Sequence, residues 1–229
     1  MENLPHSRLQ VAWLGRTEYR RCWALQQRLC ELRRAGSVPD TLLLTEHDPV
    51  FTIGRTGDPR HVLAEAEELR RRGIELVACD RGGDVTYHGP GQLVAYPILD
   101  LHGFYLDLHR YLRALEGSVI TLLSRYGIRA DRHPSYTGVW VGDEKICAIG
   151  IRSSRWITMH GLALNVNTDL TPFDRIIPCG IFEKGVTSME RLLGRPLPLE
   201  AIGAEFAQVF ASEFDVRPSP ALPECTETV

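Results

Sequence analysis

The segment from Leu108 to Tyr126 constrains the fold most, because its apolar residues recur every three or four positions without a break. This spacing places them on one face of an α-helix, and such a face has to pack against other elements. Gly127 favours a helix end directly afterwards, since glycine tolerates the left-handed conformation of a C-terminal cap. The sequence therefore predicts a long amphipathic helix against a core that the rest of the chain completes.

Further helices and strands are predicted on both sides of this segment. Helical periodicity recurs over Thr17 to Ala35, Leu63 to Arg72 (ending at Gly73) and Leu199 to Phe210. Strand-like runs lie between the helices, at Thr41 to Thr45, Ile74 to Cys79, Leu93 to Leu99, Gly138 to Val141, Lys145 to Ile151 and Trp156 to Val166. Tight turns that would join the last three runs into an antiparallel meander are predicted at Gly142-Asp143 and Ser153-Ser154. Strand pairs between helices, without regular βαβ alternation, indicate an α+β fold with a mixed or antiparallel sheet.

Length and composition suit one folded domain. The chain has 229 residues, of which 44% are hydrophobic and 24% charged, which is ordinary for a globular protein that buries a sizeable core. Prolines punctuate a small-residue run after residue 217, at Pro218, Pro220 and Pro223. We expect a single domain over residues 1–216 and a flexible C-terminal tail over residues 217–229.

Charge and cysteine usage narrow the partners and the compartment. A net charge of −3 disfavours nucleic acid as the main partner, because phosphate binding usually leaves a basic excess. No window approaches the roughly 18 apolar residues of a membrane span, and the start MENLPHSRLQ lacks the apolar core of a signal peptide. The six cysteines form no C-x-x-C pair, so neither zinc nor a disulfide framework is predicted. These features predict a cytoplasmic protein with free thiols, no membrane contact, no metal and no cofactor.

A glycine-dense stretch, RGGDVTYHGPGQLVAYP, begins at Arg81 and lies between two predicted strands. Glycines let a backbone approach a ligand closely and point its N–H groups at it. No nucleotide-binding glycine motif is present. The stretch closely resembles the signature of lipoyl(octanoyl) transferases, R-G-G-x-x-T-aromatic-H-x-x-G-Q followed by Y, through Arg81, Gly82, Gly83, Thr86, Tyr87, His88, Gly91, Gln92 and Tyr96.

A second stretch resembles the other half of that family's site. Lys145 stands just before the run Ala148-Ile149-Gly150, and the segment from His160 to Val166 reads HGLALNV. Pro178-Cys179-Gly180 and Val186-Thr187-Ser188 complete the match, which extends over roughly Thr41 to Glu190. The resemblance implies the fold shared with biotin and lipoate protein ligases. It also implies transfer of an octanoyl group from an acyl carrier protein to a lysine of a lipoyl domain.

The chemistry of such a transfer suits a cysteine and a lysine. An acyl group moves between a thioester and an amine more easily in two steps, with a thiolate as the intermediate nucleophile. A free thiol is only a few per cent ionised at neutral pH, and a nearby lysine helps as a cation or as a base. Spacing favours Cys179 on a loop but leaves Cys147 open, because strand neighbours two residues apart share a face and Cys147 would lie beside Lys145. The resemblance implies Cys179 as the nucleophile and Lys145 as its partner. The alternative for Lys145 is a solvent-exposed lysine beside a hairpin turn.

The resemblance also implies an acyl pocket. Its residues would be Arg81, Gly82, Gly83, Asp84, Val85, Thr86, Tyr87, His88, Ala148, Ile149, Gly150, Gly161, Leu162 and Ala163. Small side chains there would leave a channel for an alkyl tail, whose burial is worth ~0.8 kcal/mol per CH₂. We expect His88 to bind and orient the substrate. For His160, packing between strands is the alternative to a role in the site. For Asn165 and Asn167 we expect structural hydrogen bonding.

Three alternatives are distinguishable from this reading. An ATP-dependent lipoate or biotin ligase of the same fold activates its acid as an adenylate and needs no cysteine nucleophile. An amidotransferase would move acyl groups between lipoyl-bearing proteins, and a non-catalytic acyl-binding module would have no reason to keep both Lys145 and Cys179. The expected donor is octanoyl-acyl carrier protein. The expected acceptors are lipoyl domains of 2-oxoacid dehydrogenase complexes and the glycine cleavage H protein.

Overall fold

A computed structural model describes residues 8–177 and 184–221. In these residues the helices are α1 (Tyr19–Arg34), α2 (Ala66–Arg72), α3 (Leu108–Arg125), α4 (Met189–Leu193) and α5 (Leu199–Glu213). The strands are β1 (Arg8–Thr17), β2 (Asp40–His47), β3 (Val50–Ile53), β4 (Glu75–Ala78), β5 (Val85–His88), β6 (Gln92–Ile98), β7 (Asp131–Arg132), β8 (Val139–Val141), β9 (Glu144–Ser154), β10 (Ile157–Asn165), β11 (Gly185–Val186) and β12 (Arg217–Pro220). The mixture of helices and strands confirms the predicted α+β class.

The described strands form two mixed sheets. The large sheet has the order β12-β1-β2-β6-β10-β9-β8-β7, with β11 added along β9. Its strands are antiparallel from β2 to β7, whereas β1 runs parallel to both β2 and β12. The small sheet has the order β4-β3-β5, and β3 is parallel to β4 and antiparallel to β5. The sheets are therefore mixed, as the sequence predicts.

Helices cover both faces of the large sheet. Leu93 and Leu164 point to one face, where they join a buried cluster with residues of α3 and α5 such as Leu115 and Phe206. The next residues along the strands point to the other face, where Val94 packs with Leu25 of α1. Alternate side chains of a strand face opposite sides, so two covered faces explain why β6 and β10 are buried along their whole length.

The predicted helix boundaries agree with the structure to within a few residues. Asp107 begins α3 by accepting hydrogen bonds from the N–H groups of His109 and Arg110, and Gly127 follows the helix with a φ of 71°. The helix α2 begins at Ala66 rather than at the predicted Leu63, because Val62 is extended and bridges Ile176, and the N–H of Leu63 donates to the carbonyl of Arg175. Pairing with a distant segment replaces the first helical turn.

One of the two predicted turns of the meander is wrong. Gly142-Asp143 joins β8 to β9 as predicted, but β9 extends through Ser154, and the second turn falls on Arg155 and Trp156. Both of these residues have positive φ angles, 51° and 65°, which is the geometry that two-residue hairpin turns require. Neither residue type favours that geometry, so local sequence gave no signal for it.

The segment predicted as the start of a flexible tail is a strand. Residues Arg217–Pro220 form β12, in parallel register with β1. Its prolines occur at the edge of the sheet, where a missing N–H costs no ladder bond. A tail beginning at residue 217 is therefore wrong for the first four residues. Residues 222–229 are outside the described part, and the domain boundary remains a prediction.

Candidate active site

A cavity of about 400 Å³ opens where the two sheets meet. Its walls come from the loop between β4 and β5, from β5, and from the middle of β9 and β10. The predicted site residues that line it are Arg81, Gly82, Gly83, Asp84, Val85, Thr86, His88, Lys145, Ala148, Ile149, Gly150, Gly161, Leu162 and Ala163. The structure therefore brings these separated runs of sequence together, while their roles remain predictions.

Two predicted residues are not part of the described cavity wall. Tyr87 is 3% exposed and packs its ring edge-on against Phe51 and Phe173, in the core below the small sheet. Its neighbours Thr86 and His88 line the cavity instead, because successive side chains of a strand alternate between faces. Cys179 lies outside the described residues.

Close backbone approach explains two glycines of the site. A Cβ on Gly161 would lie 2.1 Å from the carbonyl oxygen of Ala95 on β6, and one on Gly150 would lie 2.7 Å from the carbonyl oxygen of Gly82. Neither approach leaves room for a side chain. These glycines bring the strands and the loop into contact, and alanines such as Ala163 border the open space.

Arg81 is a buried fixed charge in the cavity wall. It is 8% exposed, and its guanidinium is held by neutral groups. Nε donates to Thr52 Oγ1 at 3.1 Å, Nη2 to the Thr52 carbonyl at 2.7 Å, and Nη1 to the Gly82 carbonyl at 3.0 Å. These bonds fix its position without neutralising it, so Arg81 provides positive potential inside the cavity.

His88 belongs to a hydrogen-bonded chain that fixes its tautomer. The amide nitrogen of Gln92 donates to the carbonyl of Tyr87 at 3.1 Å and to Oδ1 of Asn165 at 2.9 Å. The amide oxygen of Gln92 therefore faces His88 and accepts from Nδ1 at 2.8 Å. Burial lowers the pKa of His88 well below its usual range, and the charges of His47 and Arg81 act in the same direction. A neutral, immobilised imidazole suits the predicted binding and orienting role.

His160 and Asp80 form a pair that the sequence does not predict. His160 is 1% exposed on β10, and its Nε2 lies 2.7 Å from Oδ1 of Asp80, whose other oxygen binds Arg152. Burial lowers the pKa of His160, while Asp80 opposes that shift. The residue adopts a φ of 59° and donates its N–H to Gln26 of α1. His160 is buried on β10, where its ring neighbours Trp23 and Tyr96, and it also lines the cavity.

Lys145 is buried on the cavity wall rather than exposed at the surface. It is 7% exposed, and its Nζ lies 4.9 Å from the centroid of the Trp140 ring on the neighbouring strand β8. Val186 of β11 pairs with it in parallel register, and the N–H of Thr187 donates to its carbonyl at 3.1 Å. The alternative of a surface lysine beside a hairpin turn is therefore wrong.

A β-bulge separates Cys147 from Lys145. Along β8 the register moves by one residue from Val139 to Trp140, while the partners on β9 move by two, from Cys147 to Lys145. The extra residue breaks the alternation of faces. Cys147 is fully buried in the core against α3 and α5 and does not line the cavity. Burial raises the pKa of its thiol well above the usual range.

The other described cysteines are also buried, reduced thiols. Burial raises the pKa of Cys22 to about 12 and that of Cys30 to about 11. Cys79 packs at the end of β4, as predicted, with its Sγ 3.5 Å from the carbonyl oxygen of Ile53. None of these four has the exposed thiol that nucleophilic catalysis needs.

Two asparagines after the cavity strands have the structural use that the sequence suggests. Asn165 donates from Nδ2 to the carbonyl of Thr187 at 3.0 Å, which ties β10 to the chain beside Lys145. Asn167 exchanges two hydrogen bonds with the backbone of Leu197.

Within residues 8–177 and 184–221, no three His, Cys, Asp or Glu side chains lie close enough together to hold a metal ion. No helix in that part of the chain has the length and apolar character to cross a bilayer.

The fold is that of lipoate and biotin protein ligases. Lipoate-protein ligase A bound with ATP superposes with a TM-score of 0.74 at 17% identity, over 97% of this chain and 91% of that chain. A bi-partite lipoate protein ligase from Thermoplasma acidophilum gives 0.69 at 18%, over 99% and 91%. Biotin protein ligase from Aquifex aeolicus in complex with biotin and ATP gives 0.57 at 16%, over 90% and 70%. At such identities the likeness defines the class of fold and nothing finer.

Sequence relatives define the family. The family model described as lipoyl protein ligase A/B catalytic domain matches residues 18–211. An octanoyltransferase of Rubrobacter xylanophilus is 56% identical over 198 residues, which cover 86% of this chain and 89% of that protein. An octanoyltransferase of Chloroflexus aggregans is 48% identical over 217 residues, covering 93% and 98%. The chain belongs to the lipoyl protein ligase A/B catalytic domain family, among its lipoyl(octanoyl) transferases, and is an acyltransferase.

Proposed function

We propose that this acyltransferase moves an octanoyl group from octanoyl-acyl carrier protein to a lysine of a lipoyl domain, through a thioester on Cys179. The observation that carries the proposal is the cavity, in which the buried Lys145 shares a wall with the small residues of β9 and β10. Octanoyltransferase relatives of nearly the same length support the octanoyl substrate.

The described cysteines leave Cys179 and Cys225 as candidate nucleophiles, and the resemblance of Pro178-Cys179-Gly180 to the family motif favours Cys179. Cys22, Cys30, Cys79 and Cys147 are all buried, and none of them lines the cavity. Ile177 is the last described residue before Cys179, and Val186 lies beside Lys145 a few residues after it. The chain on either side of Cys179 is thus anchored near the cavity.

The first step forms the acyl-enzyme. The Cys179 thiolate attacks the thioester carbonyl carbon, a new C–S bond forms, and the C–S bond to the carrier breaks. The carrier thiolate leaves and takes up the proton that Cys179 lost. Thioester exchange is nearly balanced in free energy, so the step needs no ATP. Lys145 favours the thiolate as a cation, or removes the thiol proton as a neutral amine.

The second step completes the transfer. The amine of the acceptor lysine attacks the acyl carbon, the C–S bond to Cys179 breaks, and an amide forms. The amine loses one proton, which returns to the Cys179 sulfur through Lys145, so the enzyme is regenerated. An amide is more stable than a thioester, which makes this step favourable.

The acyl pocket selects the substrate by burial. We assign the alkyl chain to the cavity bounded by Ala148, Ile149, Leu162 and Ala163, where each CH₂ removed from water is worth ~0.8 kcal/mol. Arg81 and His88 lie on the same wall and orient the polar end of the substrate.

The acceptors are lipoyl domains of 2-oxoacid dehydrogenase complexes and the glycine cleavage H protein. We place the reaction in the cytoplasm, because a catalytic thiol needs a reducing compartment.

An energy-coupling assay tests the proposal against the ligase alternative. Purified protein, octanoyl-acyl carrier protein and a lipoyl domain are mixed without ATP or magnesium, and the mass of the lipoyl domain is followed. We expect one octanoyl group on the acceptor lysine. Transfer that requires free octanoate and ATP, with release of AMP, would replace the proposal with a ligase. Binding of the octanoyl carrier without turnover would leave only an acyl-binding module.

A further inference from the structure

The carboxylate of Asp84 connects the cavity wall to a loop behind it. Asp84 lines the cavity between β4 and β5. Its Oδ1 accepts a hydrogen bond from the N–H of Asp58 at 3.0 Å, and its Oδ2 lies 2.5 Å from Nδ1 of His61. The side chains of His61 and Asp84 are only 26% and 12% exposed. Hydrogen bonds to a carboxylate in such a position are stronger than those between neutral groups.

The turn that contains His61 is rigid for its own reasons. Residues Pro59–His61 form a single 3₁₀ turn, in which the N–H of Arg60 donates to the Asp58 carboxylate at 2.9 Å. The N–H of His61 donates to the carbonyl of Asp58 at 2.9 Å. The backbone of His61 is therefore held by the turn, and its imidazole is held separately by Asp84.

The backbone of His61 holds the chain that leads to Cys179. Its carbonyl accepts the N–H of Ile177 at 2.8 Å. The next residue, Val62, forms an antiparallel bridge with Ile176, which is 4% exposed. The described chain thus reaches Ile177, two positions before Cys179, in a register fixed by the turn at His61.

We propose that His61 is a positioning residue for acyl transfer. Its imidazole holds Asp84 of the cavity wall, and its carbonyl holds Ile177, so the chain that leads to Cys179 is tied to the acyl pocket as far as two residues before the nucleophile. The inference rests on the proposed function, in which Cys179 is the nucleophile. Loss of this link should slow the chemical step, because a misplacement of ~1 Å can cost about 10²-fold in rate.

Two substitutions separate positioning from mere presence. His61→Leu keeps the bulk and removes the donor, whereas His61→Asn places an amide N–H close to the position of Nδ1. The rate of thioester formation on Cys179 is measured by rapid quench and peptide mass spectrometry over a range of octanoyl-acyl carrier protein concentrations. We expect His61→Leu to lower the maximal rate about 10- to 100-fold with little change in the half-saturating concentration. His61→Asn should recover most of that rate.

A matched control lies in the same turn. The Arg60 side chain is 89% exposed, and the one ion pair described for it is with Asp58. Arg60→Leu should therefore react like the wild type. The double variant His61→Leu with Asp84→Leu should be no slower than the slower single variant, because both changes break one link.

The outcomes distinguish this inference from the proposed function. Equal rates of thioester formation for wild type and His61→Leu would overturn the inference. It would also be overturned if His61→Leu and His61→Asn lost the same rate and both had lowered unfolding temperatures, because the effect would then come from stability. A wild-type protein that forms no thioester on Cys179 would instead refute the proposed function itself.

Discussion

The side-chain nitrogen of Lys145 lies over the indole of Trp140, with 4.9 Å between Nζ and the ring centroid. A cation over an aromatic face is attracted by the quadrupole of the ring, by about 0.5–2 kcal/mol depending on solvation. The indole is held in turn by His133 and Tyr136, whose ring centroids lie 5.1 and 6.0 Å from its own. Trp140 therefore helps to fix the position of the Lys145 side-chain nitrogen.

Replacing Trp140 tests whether that contact matters for turnover. Trp140→Phe keeps an aromatic face, and Trp140→Leu removes it. We expect kcat for octanoyl transfer to fall by about 2- to 30-fold in the leucine variant, as loss of about 0.5–2 kcal/mol implies, and by less in the phenylalanine variant. The unfolding temperature of each variant is measured alongside. Equal kcat values for the two variants would show that the ring serves only as bulk.

Substitution of Lys145 separates its charge from its ability to carry a proton. In Lys145→Met, transfer should slow by about 10²-fold or more, as losing a positioned proton-transfer group does. If Lys145 lies beside Cys179 as proposed, the pH profile for iodoacetamide labelling of the Cys179 peptide should move to higher pH, because a charge that favours the thiolate is gone. Lys145→Arg should restore labelling without restoring transfer, since arginine keeps the charge but is not a base at neutral pH. Unchanged labelling and turnover in Lys145→Met would remove Lys145 from the mechanism.

Gly161→Ala should destabilise the protein. The added methyl group would lie 2.1 Å from the carbonyl oxygen of Ala95, so β10 and β6 would have to separate. Overpacking of this kind costs about 1–3 kcal/mol, measurable as a lower midpoint of urea unfolding. Gly103→Ala is the control, because nothing lies within 4 Å of its added Cβ. Equal midpoints for the two variants would contradict the packing argument.

His47 should make the protein sensitive to acid. It is fully buried with Nε2 2.7 Å from the Tyr96 hydroxyl, and burial lowers its pKa to about 4. An unfolded histidine titrates near pH 6.5, so below that pH the unfolded state binds a proton that the native state excludes. Between pH 7 and pH 5 this lowers the free energy of unfolding by about 2 kcal/mol. Stability is thus retained above pH 6.5 and lost as the pH falls toward 4.

The His47→Gln variant isolates that contribution. Urea unfolding at pH 7 and pH 5 should show a loss about 2 kcal/mol smaller than in the wild type. His102→Gln serves as the control, because His102 is exposed on the surface. An acid-dependent loss in His47→Gln as large as in the wild type would show that His47 is not responsible.

Periodicity and motif explain how much of the molecule the sequence predicts. The helix α3 was predictable because one apolar stripe packs on the sheet along its whole length. The edge strand β12 and its neighbour β1 were not, because they pair with each other across most of the length of the sequence. The bulge between Lys145 and Cys147 was also invisible, since the extra residue depends on register with β8. Two-residue spacing therefore suggested a shared face that the sheet does not provide.

The candidate site follows the same division. Of the acyl-pocket residues that the motifs imply, all but Tyr87 line the cavity. The Tyr87 side chain faces the core instead, because side chains alternate along a strand. Asp80 and His61 act through partners far away in sequence, His160 and Ile177. Such contacts have no local signature, so only the folded chain reveals them.

The thioester on Cys179 is the central claim, and intact-protein mass spectrometry tests it most directly. The protein is incubated with octanoyl-acyl carrier protein without an acceptor, then digested to locate the modification. We predict a gain of one octanoyl group on the peptide that contains Cys179, labile to hydroxylamine, and none in Cys179→Ala. A thioester that persists in Cys179→Ala and disappears in Cys147→Ala would contradict the account.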